Sequence, residues 1–128
     1  MAERSQDAAF SSSERAAMRD LLAADRERTM SRVASLTRDW NDIVESSALV
    51  ATDDEHDPEG SSTAFERAHI QSLLDQAATH LTGLDQALVR LRDGTYGLCE
   101  VCGRPIALER LKARPAATTC IACASTRR

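Results

Sequence analysis

Cys99-x2-Cys102 and Cys120-x2-Cys123, separated by seventeen residues, are the side chains whose type and spacing most directly dictate a chemistry. Two closely spaced pairs of thiols at this separation match a four-thiolate zinc site, because each tight turn lets two sulfurs reach one ion. Gly103, directly after Cys102, supplies the permissive backbone such a turn favours. Four thiolates fill the tetrahedral shell of Zn²⁺ and leave no position for an activated water, so the expected cofactor is one structural Zn²⁺. A redox CxxC would need a βαβ context that the surrounding sequence lacks.

A second cluster is acidic. Asp53, Asp54, Glu55, Asp57 and Glu59 place five carboxylates in seven residues, with His56 among them and Pro58 and Gly60 in the same stretch. Carboxylate oxygens are hard ligands suited to Mg²⁺. A solvated loop that serves solubility is the plain alternative. Arg104, Arg110, Lys112 and Arg114 form a basic set around the cysteines, either a solvated face or a set of contacts to an acidic partner. No nucleophile with a matching base accompanies these groups, so an enzyme is not expected.

These residues need elements to hold them. Aromatics number only four (Phe10, Trp40, Phe65, Tyr96), Gly and Pro total eight, and Ala, Leu, Glu, Asp and Arg dominate the 128 residues, which favours an all-α fold. Residues 1–10 read as a flexible N-terminal arm. Ser11 and Glu14 make a capping-box pattern that starts a helix. Leu22, Thr29, Leu36, Ile43 and Val50 then recur every seven residues, with Val33 and Trp40 as a second line and Arg26 as its weak point.

The pattern stops over 51–61, where Pro58 and Gly60 predict a turn, and Thr63 with Glu66 offers a second capping box. Ile70, Leu74, Ala77, Leu81, Leu84, Leu88 and Leu91 step by four and three without a fault, and Asp93-Gly94 ends the run. Folding the two helices back on each other pairs Leu22 with Leu91, Leu36 with Ala77 and Ile43 with Ile70 in one continuous register. The expectation is a long antiparallel two-helix coiled-coil hairpin over 11–93 with an acidic tip at 51–61. A small C4 zinc-finger module follows over 94–128. A helix of roughly thirty residues makes an arm of about 45 Å.

Charge divides along the chain: residues 1–94 carry 10 basic and 18 acidic side chains, residues 95–128 carry 6 and 2. An acidic body is a poor partner for duplex nucleic acid, whose binding is driven by phosphate neutralisation. Neither a secretory leader nor an apolar run of membrane-spanning length is present, so a cytoplasmic protein without a membrane partner is expected.

Asp93-Gly94-Thr95-Tyr96-Gly97-x-Cys99-Glu100-x-Cys102-Gly103-x-Pro105-Ile106, Arg110-Leu111-x-Ala113-x-Pro115 and Cys120-x2-Cys123 together resemble the DksA/TraR family of C4 zinc-finger transcription factors. The resemblance implies binding to bacterial RNA polymerase without touching a promoter sequence, and a monomer is the expected state. Its coiled-coil arm would enter the secondary channel, bringing the acidic tip near the catalytic Mg²⁺. Asp54 and Asp57 match the first two positions of the family's Asp-x-x-Asp-x-Ala tip, whereas Glu59 stands where Ala would be. The sequence as given ends five residues after Cys123, so no counterpart of the longer C-terminal helix of larger members is expected. The competing reading from another class is a zinc-stabilised DNA-binding or scaffolding protein that uses the hairpin for self-association.

Overall fold

The structure, a computed structural model, describes residues 10–50 and 58–126, with only the backbone described at 47–50 and 58–61. Among the described residues four helices account for the regular structure: α1, Ser12–Val50; α2, Pro58–Asp93; α3, Leu108–Ala113; and α4, Ile121–Thr126. Among the described residues the sole β feature is an isolated antiparallel bridge between Leu98 and Pro105. The all-α expectation holds.

Both helix ends predicted at the base are made as the sequence suggests. Ser11 Oγ accepts from the Glu14 backbone N–H at 3.1 Å, and Glu14 Oε1 accepts from the Ser11 N–H at 2.9 Å, a complete reciprocal capping box. At the far end of α2, Gly94 adopts φ of +89°, and the Thr95 N–H turns back to the Arg90 carbonyl at 2.9 Å. This is a Schellman-type stop, in which glycine takes the left-handed conformation without a Cβ penalty.

The start of α2 differs from expectation. Pro58 and Gly60 do not hold the chain in a turn: both are helical, and Thr63, the expected cap, lies inside the helix. Proline has no N–H to satisfy and its fixed φ is compatible with a first helical turn, so its presence here is consistent with helix. The described part of the expected 51–61 tip is therefore helical from Pro58 onward.

The chain divides into two compact units, one of residues up to Glu27 together with those from Thr82 onward, the other Arg28–Leu81. In the first, Met18, Leu22, Leu84, Ala87 and Leu91 join Tyr96, Cys99, Ile106 and Leu111 in one buried cluster. Arg26, the charged interruption of the second seam line, donates from Nε to Asp85 Oδ1 at 2.7 Å. Both partners are partly exposed, so this pair contributes at most about 1 kcal/mol and chiefly explains how the charge is tolerated.

In the second unit Leu36, Ile70 and Ala77 are buried, and Ile43 shares a groove with Ile70, as the predicted register requires. Val33, Trp40, Leu74 and Leu81 are only half-buried. The first seam line thus carries the core and the second forms its shoulder, the outcome expected when two helices pack without a third to cover them.

Candidate metal centre

The first pair of cysteines sits on a tight loop that the backbone closes on itself. The Cys99 N–H donates to the Arg104 carbonyl at 2.8 Å, the Gly103 N–H to the Cys99 carbonyl at 2.9 Å, and the Ile106 N–H to the Gly97 carbonyl at 2.7 Å. The Val101 N–H points at Cys99 Sγ from 3.4 Å. Cys120 precedes α4 and Cys123 lies within it, where the Ala124 N–H caps the Cys120 carbonyl at 2.9 Å. The loops are tied by the Glu100 N–H donating to the Thr118 carbonyl at 2.8 Å.

This framework brings all four Sγ atoms within 4.8 Å of one another, with Cys102 and Cys120 at 3.8 Å. A tetrahedral ion with Zn–S bonds of about 2.3 Å separates its sulfurs by about 3.8 Å, so the donor set fits zinc in both size and chemistry. No disulfide joins the four. The local electrostatics point the same way. Cys99 is lowered to about 6, chiefly by the Cys102 backbone N–H, and Cys120 is lowered chiefly by the Cys123 backbone N–H. Cys123 is pushed up to about 12, first by the neighbouring Cys120 sulfur. Four thiolates this close repel unless a cation compensates them, which is what a bound divalent ion supplies. Zinc held by Cys99, Cys102, Cys120 and Cys123 would be a structural cross-link with a filled coordination shell.

The shell around the cysteines contains contacts that spacing alone does not disclose. Tyr96 is buried, and its hydroxyl donates to the Pro115 carbonyl at 2.7 Å. Phe10 stacks on the Tyr96 ring, centroids 5.7 Å apart and planes 28° from parallel. It also covers Gly97, where φ is +88° and a Cβ would come 2.7 Å from Phe10 Cε2. Glycine at 97 is therefore required twice, by backbone conformation and by the close approach of a ring.

Burial pushes the Tyr96 hydroxyl up from 10.0 to about 12, with Arg90 pulling weakly in the opposite sense. A phenol whose folded value lies above its unfolded value favours folding fully below pH 10 and loses that contribution as pH rises toward about 12. Tyr96→Phe should cost about 1 kcal/mol at neutral pH by orphaning the Pro115 carbonyl. It should also lose less stability than the parent between pH 10 and about 12, which denaturant titrations at the two ends of that window would measure.

The basic set separates into different roles. Arg110 is half-buried and donates from Nε to the Thr119 carbonyl at 2.9 Å, so it braces the loop before Cys120. Lys112 is exposed and 3.9 Å from Glu109, while Arg104 and Arg114 lie at the surface. Asp53, Asp54, Glu55 and Asp57 lie outside the described residues, as does the side chain of Glu59.

Residues 94–127 match the family model of the prokaryotic dksA/traR C4-type zinc finger. A Caulobacter vibrioides protein named RNA polymerase-binding transcription factor DksA is 52% identical over 44 residues, 34% of this chain and 31% of that protein. The Bacillus subtilis protein YteA, of uncharacterised function, is 38% identical over 66 residues, 52% of this chain and 28% of its own. The matched segments thus span about a third or less of these curated relatives. The solved structure of transcription factor DksA2 from Pseudomonas aeruginosa is similar over far more of the chain. It has a TM-score of 0.71 and 30% identity, covering 87% of this chain and 80% of that one. With two long helices, a single four-cysteine centre and this extended likeness in both sequence and fold, the chain belongs to the DksA/TraR family of C4 zinc-finger proteins.

Proposed function

We propose that the protein is a non-enzymatic regulator that binds bacterial RNA polymerase through the secondary channel and adjusts transcription initiation with its acidic turn. The observation that carries this reading is the likeness to transcription factor DksA2 over 87% of the chain, which takes in the helices as well as the metal centre. The zinc module stiffens one end, and the helical hairpin delivers Asp53, Asp54, Glu55, Asp57 and Glu59 to the polymerase. The exposed Arg104, Lys112 and Arg114 offer contacts to acidic polymerase surface. The protein acts as a monomer in the cytoplasm and does not read DNA sequence. Its net charge of −4 supports that last point. Among the described residues no helix is long and apolar enough to cross a membrane.

Binding and regulation should separate. A short charged turn buries little apolar surface and supplies little affinity, so the double variant Asp54→Asn, Asp57→Asn should bind polymerase with a curve close to that of the parent. Its influence on transcription from purified polymerase at several promoters should be mostly lost. Equal regulation by parent and variant would reduce the turn to a solvated loop. Tight duplex-DNA binding that falls steeply with salt would favour the DNA-binding reading instead.

A further inference from the structure

One groove in the unit Arg28–Leu81 is built differently from the rest of the helical surface. It has a volume of about 370 Å³ and is lined by Asp39, Asp42, Ile43, Glu66, His69 and Ile70. Ile70 is buried and Ile43 half-buried, giving an apolar floor, while the three acids and His69 are exposed around it. None of the three carboxylates enters an ion pair among the described residues. One turn before His69, Phe65 is 77% exposed, the most open large apolar side chain of the described residues. Residues at i and i+4 share a helix face, so this ring lies beside the groove.

An apolar floor, a rim of unpaired carboxylates and a neighbouring open aromatic face are together the complement of one kind of side chain. Arginine lays an aliphatic stem on apolar surface, pairs its planar guanidinium with carboxylates and stacks on aromatic rings. A metal ion is the poorer fit: among the described residues only the four cysteines bring ligand atoms close enough together to hold one.

Resting on the polymerase-binding reading, we infer that this groove is a docking subsite on the side of the helical hairpin for an arginine presented by RNA polymerase. Asp42 and Glu66 receive the guanidinium, Ile43 and Ile70 hold the stem, and Phe65 covers it from one side. The subsite is separate from the acidic turn and from the zinc module. It gives the hairpin an orientation-specific contact, since a desolvated charge pair fixes register where a diffuse negative field does not.

The test uses the full-length zinc-loaded chain, fluorescently labelled, and purified bacterial core RNA polymerase titrated across a salt series. Asp42→Asn with Glu66→Gln is compared with Asp20→Asn and Glu27→Gln, which remove the same charge from exposed positions elsewhere. The groove pair should weaken binding about tenfold and flatten its salt dependence, with the control pair within about twofold of the parent. Phe65→Ala should weaken binding in the same direction. Helical circular dichroism should be unchanged throughout, because all five positions are exposed. If the parent binds and both charge pairs behave alike, the subsite is overturned while the polymerase reading stands. If the parent does not bind polymerase, both fall together.

Discussion

Removing the metal should collapse the zinc module and leave a distinct spectroscopic trace of having done so. A strong chelator under reducing conditions should release one zinc per chain. With it should go most of the ordering of residues 94–126, because structural zinc binding contributes on the order of 10 kcal/mol of folding free energy. The chain contains one tyrosine and one tryptophan, Tyr96 beside the centre and Trp40 in the unit Arg28–Leu81. The near-ultraviolet signal of Tyr96 should disappear on chelation while that of Trp40 persists, and Cys120→Ser should reproduce the effect without chelator. Protein purified without metal, or a Tyr96 signal indifferent to its loss, would show that the four thiols hold nothing structural.

Leu84→Asp should be nearly as damaging. Leu84 is 0% exposed and packs with Met18, Leu22, Ala87 and Leu91. The substitution discards a full leucine burial and places a carboxylate in an apolar cluster. Together these cost about 5 kcal/mol or more, against a total stability of roughly 5–15 kcal/mol for an ordinary domain. The thermal midpoint should fall by about 20 °C or the cooperative transition should vanish. Val89→Asp, at a position 44% exposed, should change stability by about 0.5 kcal/mol or less. Leu74→Asp should fall between the two, since Leu74 is half-buried. Equal melting curves for Leu84→Asp and the parent would mean that the seam is wrongly assigned.

The parts of this molecule readable from sequence are those governed by period and spacing. Heptad recurrence located Leu22, Leu36, Ala77, Leu84 and Leu91 in the core, and the cysteine intervals located the metal ligands. Ser11 and Glu14 announced a helix start because that cap is built wholly from neighbouring residues. Thr63 and Glu66 carry the same signature, yet residues 58–62 ahead of them are already helical, because a capping-box pattern marks where a helix can start and not where it does. Met18 and Ala87 escape the heptad lines, although both are buried, because the cluster they join also takes in Tyr96, Cys99, Ile106 and Leu111, which a two-helix period does not register. Contacts between residues distant in sequence, Tyr96 with Pro115 and Arg110 with Thr119, leave no periodic trace at all.

Phe10 carries a consequence for the order in which the protein is made. Its ring rests on Tyr96 and Gly97, the latter also beside Leu111, so a residue near the start of the chain finds its seat only among residues near the end. Translation proceeds from the N-terminus at about 5–20 residues per second, and α1 can become helical long before that seat exists. The base of α1 cannot complete the packing of Met18 and Leu22 until Tyr96, Ile106 and Leu111 have been made and folded against it. Loss of zinc should therefore loosen the base of α1 as well as the residues around the cysteines. A chain without its metal would leave the apolar side chains of Met18 and Leu22 without part of their cover, an exposed patch far in sequence from the cysteines themselves.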